Sequence, residues 1–159
     1  MQVRTEQEAL YIACEMESMA VQLYSRALQV MEQMGRQHEE LYTRIKEMLD
    51  DEQGHLCRFR SLYKGLDASE EQQLALAAVG DGVLFEGGLM GAARQGLLKD
   101  VESMVDLAIR SERASAQKYR EFAMSAQSEE ARQALLLIAG EEEGHLMELE
   151  ASAEAEKHR

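Results

Sequence analysis

The sequence contains no proline and no tryptophan, and only eight of its 159 residues are aromatic. A proline-free chain rich in Ala, Leu, Met, Glu, Gln and Arg favours helix almost throughout. Its two cysteines, Cys14 and Cys57, form neither a disulfide framework nor a CxxC site. No apolar run approaches about 18 residues and no basic-then-apolar leader is present, so we expect a cytoplasmic protein.

Basic residues are also scarce, since 17 Lys and Arg stand against 30 Asp and Glu, giving a formal net charge of −13. A strongly acidic surface repels phosphate groups, so the composition predicts no nucleic-acid partner and no anionic membrane partner. The length and the balance of 45% apolar and 30% charged residues are typical of one globular domain, residues 1–159.

Hydrophobic periodicity and capping residues predict four long helices. A capping box at Thr5 and Glu8 opens the first helix, Gly35 separates it from the second, and Ser128 can cap the fourth. Gly65 is a suitable residue directly beyond the second helix. The predicted helices are 5–34, 36–64, 99–125 and 128–156.

The segment between the second and third helices, residues 65–98, is much longer than the other two links. It contains a short helix candidate, Ser69–Val79, followed by Gly80–Gly91, which is too rich in glycine for a stable helix. Short links make antiparallel neighbours, whereas this segment can run the length of a helix. We therefore predict an all-α four-helix bundle with one long crossover. Two separate hairpins are disfavoured because neither could cover its apolar stripe.

Each inward-facing stripe carries a carboxylate near its middle, and two stripes add a histidine one turn later. The residues are Glu17 in helix 1, Glu52 and His55 in helix 2, Glu112 in helix 3, and Glu142 and His145 in helix 4. Burying unpaired carboxylates is costly, and no Lys or Arg lies near them on these stripes. The missing positive charge indicates metal ions from solution. The alternative is a solvated charged face.

The two halves of the chain repeat this pattern. Glu17 precedes Tyr24 by seven residues, and Glu112 precedes Tyr119 by seven. Each half then contains the motif Glu-x-Gly-His, ending at His55 and at His145. The repeated motif glycines, Gly54 and Gly144, are predicted to allow close helix approach beside the site, the alternative being that the helices simply tolerate them. A single Glu-x-x-His is weak support on an acidic helix, but two copies in register favour a dinuclear site.

These residue types suit a pair of divalent cations. Glu and His three residues apart share one helix face, carboxylates can bridge two ions, and four carboxylates balance two dications. Mixed oxygen and nitrogen ligation suits iron or manganese, although the spacing does not exclude zinc. Tyr24 and Tyr119 are predicted to hydrogen-bond a ligating carboxylate of the opposite half, or else to be core residues with satisfied hydroxyls.

The set of one Glu from each of two helices and Glu-x-x-His from each of the other two resembles the ferritin-like di-iron carboxylate superfamily. The segment Ala139–Leu146 in particular is similar to the last helix of rubrerythrins. The resemblance spans the four helices and implies two iron ions held by Glu17, Glu52, His55, Glu112, Glu142 and His145. It also implies reduction of H₂O₂ or O₂, no catalytic residue beyond the ligands, and a homodimer.

Two features depart from rubrerythrins. Ser115 stands where that family usually adds a carboxylate, so the set resembles the six-ligand one of bacterioferritins. The paired CxxC motifs of a rubredoxin domain are absent, so a separate electron donor is expected. A ferroxidase that feeds iron storage, a non-catalytic bundle stabilised by metal and a hydroxylase for an organic substrate remain alternatives.

Overall fold

The computed structural model describes all residues from Met1 to Arg159 and contains six helices and no strands. The helices are α1 (Glu6–Gln33), α2 (Glu40–Leu62), α3 (Ala68–Gly80), α4 (Gly88–Arg94), α5 (Val101–Ser125) and α6 (Glu129–Lys157). Both ends of α1, α5 and α6 lie within two residues of the predicted bounds. The short helix predicted over 69–79 is confirmed as α3.

Three of the four long helices, α1, α5 and α6, begin directly after a residue whose side chain caps them. The Thr5 hydroxyl accepts a hydrogen bond from the Glu8 amide at 3.2 Å, and the Ser128 hydroxyl accepts one from the Ala131 amide at 3.2 Å. Asp100 caps α5 in the same way, through the Ser103 amide at 2.7 Å. Each cap satisfies a backbone donor that a helix N-terminus leaves free.

The predicted bounds of the second helix, 36–64, were wrong at both ends. Gly35 adopts φ +71° and its amide donates to Glu32, while the Arg36 amide donates to Met31 at 2.8 Å. This Schellman motif makes Arg36 part of the end of α1, so α2 begins only at Glu40. At the other end α2 stops at Leu62 because Tyr63 is extended, so Gly65 lies outside the cap.

The prediction that Gly80–Gly91 contains no helix was also wrong in part, because α4 begins at Gly88. Gly87 and Gly88 both adopt positive φ, which turns the chain sharply into α4. Gly91 then lies against the backbone carbonyl of Glu86, where a Cβ would collide with the oxygen. Gly87 and Gly88 therefore form the turn before α4, and Gly91 lets this helix lie close to the backbone of Glu86.

The apolar core is divided into two clusters. The first apolar cluster includes Leu10, Ile12, Phe59, Phe122, Leu135 and Ile138. The second includes Leu28, Met31, Ile45, Met48, Val105 and Leu149. Each of the four long helices contributes residues to both clusters and therefore spans the gap between them.

The order of these contributions gives the direction of each helix. Helices α1 and α6 run from the first cluster to the second, whereas α2 and α5 run from the second to the first. Contacts join α1 to α2 and α5, and α6 to α5 and α2. The segment 63–100 begins beside the first cluster and ends beside the second, and its helices α3 and α4 both contact α1. The result is an all-α bundle.

No helix of this bundle combines the length and the apolar composition that crossing a bilayer requires.

Candidate metal centre

Six polar side chains fill the gap between the two apolar clusters. They are the only buried charged or imidazole side chains in the protein, each at most 6% exposed: Glu17, Glu52, His55, Glu112, Glu142 and His145. In every long helix they lie between the residues of the first cluster and those of the second. All six residues that the sequence singled out as metal ligands therefore lie in one buried layer.

The six side chains converge into two groups that can each hold a metal ion. The first group is Glu17, Glu52, His55 and Glu142, and the second is Glu52, Glu112, Glu142 and His145. Within each group, one ligand atom per residue lies within 4.8 Å of the others. Glu52 and Glu142 belong to both groups, so their two carboxylate oxygens are suited to bridging two ions.

Both imidazoles direct Nδ1 toward the carboxylates. The Nδ1 atom of His55 lies 2.9 Å from Glu142 and 3.7 Å from Glu17. The Nδ1 atom of His145 lies 2.9 Å from Glu52 and 3.7 Å from Glu112. The two rings stack with centroids 6.0 Å apart. Nδ1 is therefore the nitrogen that each histidine can offer to a metal.

The ligand atoms lack hydrogen-bond partners. Seven buried side-chain oxygen and nitrogen atoms in the protein make no hydrogen bond, and all seven belong to these six residues. They include both Nδ1 atoms, because the short contacts to carboxylates do not have hydrogen-bond geometry. Buried polar atoms are rarely left unpaired, and each case needs an explanation. A donor set of this kind fits divalent cations, for which these oxygen and nitrogen atoms could serve as ligands.

The electrostatics of the cluster also favour added positive charge. Burial and repulsion from Glu52 raise the pKa of Glu17 to about 8. Burial and the charges of Glu112 and Glu17 raise the pKa of Glu142 well above its usual value. Burial opposes charging of His55, but contacts with Glu142 and Glu17 outweigh it and raise the imidazole pKa. Each shift favours bound protons where cations could lie.

The two predicted tyrosines contact the cluster from opposite halves of the chain. The Tyr119 hydroxyl donates a hydrogen bond to Glu17 at 2.8 Å, and the Tyr24 hydroxyl donates to Glu112. Both tyrosines are buried. Each hydroxyl satisfies one oxygen of a carboxylate and leaves the other, Oε2, without a partner. The tyrosines thus fix the orientation of the two carboxylates that belong to only one group.

Two acidic residues that the sequence analysis missed hold the outer nitrogens of the imidazoles. Nε2 of His55 lies 2.6 Å from Glu141, and Nε2 of His145 lies 3.0 Å from Asp51. Accepting the Nε2 proton leaves Nδ1 free for a metal. The sequence does contain a signal for these two residues, because an acidic residue directly precedes the motif glutamate in both copies. Its side chain projects toward the seam between α2 and α6 and not along the apolar stripe.

The motif glycines do not have the predicted role. At Gly54 and Gly144 a Cβ would have no neighbour within 4 Å, so no helix approaches them closely. Ser115 is half-buried on α5 and is outside both ligand groups.

No family model matches the chain, and neither a curated protein nor a solved structure matches it.

Proposed function

We propose that the protein is a ferritin-like di-iron oxidoreductase of rubrerythrin type, which reduces H₂O₂ or O₂ at the buried cluster. The observation that carries the proposal is the pair of ligand groups that share Glu52 and Glu142 and contain every unpaired buried polar atom. Four carboxylates and two imidazoles match the charge of two Fe²⁺ ions and the preference of iron for mixed ligands. Manganese or zinc would also fit these donors.

The assignment of ligands follows from the two groups. Glu17 and His55 would help to hold one ion and Glu112 and His145 the other, while Glu52 and Glu142 belong to both groups and could serve either ion. Bound iron would supply the two electrons that, with two protons, convert H₂O₂ into two water molecules, leaving both ions as Fe³⁺. A separate electron donor would then restore Fe²⁺.

The chain's own contribution is to hold the ligands rigidly and to exclude bulk water. Tyr24 and Tyr119 orient the carboxylates of Glu112 and Glu17, and the two apolar clusters close the layer on both sides. Asp51 and Glu141 accept the outer imidazole protons and are themselves exposed, so they link the site to solvent. Ligands fixed in this way need little rearrangement when the charge on the site changes.

The ferritin-like topology is part of the same proposal. It is supported by four long helices that each carry one buried carboxylate, and by the repeat of Glu-x-x-His in α2 and α6. It is also supported by a connection from α2 to α5 that starts at one core cluster and ends at the other. Pairing into a homodimer would agree with such a fold.

The test is anaerobic loading with Fe²⁺ followed by stopped-flow mixing with H₂O₂ and, separately, with O₂. We expect a rapid absorbance change at two Fe²⁺ per chain, faster with H₂O₂ than with O₂. Glu52→Ala should abolish it, because Glu52 belongs to both ligand groups, whereas the exposed Glu47→Ala on the same helix should not. No rapid change with either oxidant, or equal rates in Glu52→Ala, would refute the proposal.

A ferroxidase that supplies iron to storage is the second candidate. Ser115 in place of a seventh carboxylate favours it, because the six remaining ligands are the bacterioferritin set. Storage needs a cage of many subunits, so the mass in solution separates the two: a monomer or dimer argues against storage. A purely structural metal would instead raise the melting temperature without any redox change.

A further inference from the structure

A small, partly open pocket lies between α1 and α5, covered by the segment that joins α3 to α4. Met16 and Met19 of α1 and Val83 and Phe85 of the covering segment form its apolar walls, and Ser111 and Ser115 of α5 supply its polar side. Its volume is about 20 Å³. A cavity needs roughly 10–15 Å³ to hold one water molecule, so this pocket admits only a very small molecule. We call it the serine pocket.

The serine pocket lies at the level of the metal centre along α1 and α5, on the side of the bundle away from the histidines. Met16 directly precedes Glu17, and Ser111 directly precedes Glu112. On the opposite side, the pairs His55–Glu141 and His145–Asp51 fill the seam between α2 and α6. A neutral molecule that approaches between α1 and α5 meets no imidazole and no exposed carboxylate among the pocket walls.

The two serines have free hydrogen-bonding capacity. Ser111 and Ser115 are one helical turn apart, so both hydroxyls lie on the same face of α5. Neither hydroxyl bonds to the protein, unlike those of Ser61 and Ser152, which donate to backbone carbonyls one turn earlier in their helices. The pocket therefore offers two donor-acceptor groups to a small polar guest.

We infer that the serine pocket binds H₂O₂ on its way to the metal centre and excludes organic hydroperoxides. Each oxygen of H₂O₂ can donate a hydrogen bond to one serine hydroxyl and accept one from the other. O₂ has no hydrogen to donate, so it can only accept. The walls formed by Met16, Met19 and Phe85 leave no room for an alkyl group. The inference rests on the proposed peroxide reduction and adds to it the position and the size selectivity of the oxidant.

The first test needs no metal. Ser115→Cys is made in a Cys57→Ser background, where the remaining Cys14 is buried and its thiol pKa is raised to about 11 by burial. We expect the introduced thiol to react with the small reagent methyl methanethiosulfonate. Its reaction with the bulky disulfide DTNB should be at least about tenfold slower than the reaction of DTNB with the exposed Cys57 of the natural chain. Phe85→Ala should remove this size preference. No reaction with either reagent, or no size preference, contradicts the inference.

The second test uses the Fe²⁺-loaded protein. Ser111→Ala combined with Ser115→Ala should slow oxidation by H₂O₂ about tenfold, as expected for the loss of two ordinary hydrogen bonds, while oxidation by O₂ stays unchanged. Phe85→Ala should make cumene hydroperoxide reactive. Ser18→Ala is the control, because Ser18 follows Glu17 but does not line the pocket.

The outcomes separate the two proposals. If the natural chain does not react with H₂O₂, the proposed function is wrong and this inference falls with it. If the natural chain reacts and the double serine variant reacts at the same rate, only the inference about the serine pocket is wrong.

Discussion

Each site histidine has acidic groups beside both of its nitrogens, but only Nε2 makes a hydrogen bond. Nδ1 faces the carboxylates of the cluster, and Nε2 contacts an acidic residue of the neighbouring helix, Asp51 or Glu141. These two acidic residues come from α2 and α6, so each motif holds the histidine of the other motif. The sequence repeat thus builds a reciprocal arrangement that neither copy could form alone.

Removing one of these acceptors should weaken metal binding without unfolding the protein. In Asp51→Ala nothing fixes the ring orientation or the tautomer of His145. The loss of such a contact typically lowers metal affinity roughly 10–100-fold, and we expect a decrease in that range. Competitive titration with a chromophoric chelator measures it. Asp50→Ala is the matched control, because Asp50 is exposed and pairs with no group. Equal affinities of the two variants would show that Asp51 does not position the histidine.

The ligands themselves were accessible to sequence reasoning because each one interrupts an apolar stripe. A buried carboxylate such as Glu17 or Glu112 is conspicuous against Leu, Val and Ala at helical spacing. Asp51 and Glu141 were not, because they lie on polar flanks where acidic residues are common and only their contact with a ring nitrogen distinguishes them. The serine pocket likewise depends on a segment, 81–87, whose path no periodicity predicts.

At the scale of helices, the starts of α1 and α6, which have a capping side chain, were predicted closely, whereas the start of α2 was placed four residues too early. Thr5 and Ser128 act through local contacts with amides three residues ahead, which a short motif captures. The wrong start of α2 has the opposite cause: Arg36 has helical propensity, but its amide completes the end of α1, and its side chain pairs with Glu39 and Glu156. Tertiary contacts overrode propensity there.

Helical glycines in this chain should respond in opposite ways to alanine. Gly144→Ala should raise the free energy of unfolding by about 0.5–1 kcal/mol, because the residue is helical and a Cβ meets nothing. Gly91→Ala should lower it by more than that, because the Cβ would strike the Glu86 carbonyl oxygen. Urea denaturation of the metal-free variants measures both changes. A destabilised Gly144→Ala would mean that another surface covers this face of α6.

At the scale of the whole molecule, an ion-pair network joins the turn after α1 to the end of α6. The Arg36 guanidinium lies 2.7 Å from Glu39 and 2.7 Å from Glu156, and Arg159 lies 2.6 Å from Glu39. The hydrogen bonds from Arg36, followed by those from Arg159, lower the pKa of Glu39 to about 2. The network fastens the turn between α1 and α2 to the C-terminal end of α6.

This lowered pKa gives the network a definite acid dependence. A carboxyl whose pKa is depressed by folding stabilises the protein above its ordinary pKa of 4.5, and this stabilisation is lost as the pH falls toward 2. We therefore expect Glu39→Gln to lower the free energy of unfolding by about 1 kcal/mol at pH 7, with the difference shrinking below pH 4.5. Urea titrations at successive pH values test this, with the exposed Glu47→Gln as control. A difference that stays constant down to about pH 2.5 would exclude the assigned pairing.

The buried polar layer between the two apolar clusters costs the fold stability, because seven of its atoms have no hydrogen-bond partner. Apolar side chains in its place would remove seven unpaired buried atoms, so we expect the layer to stabilise the fold when cations bind to it and to cost stability without them. Binding at a free metal concentration about 100 times the dissociation constant would add roughly 2.7 kcal/mol.

The most direct measurement is the metal content of the protein, by elemental analysis after purification and by native mass spectrometry during anaerobic titration with Fe²⁺. We predict saturation at two ions per chain and loss of both ions in Glu142→Ala, because Glu142 belongs to both ligand groups. The adjacent Glu143→Ala should bind both ions, because the Glu143 side chain pairs with Arg120 outside the cluster. A natural chain that binds no ion, or a Glu142→Ala variant that still binds two, would contradict the central claim.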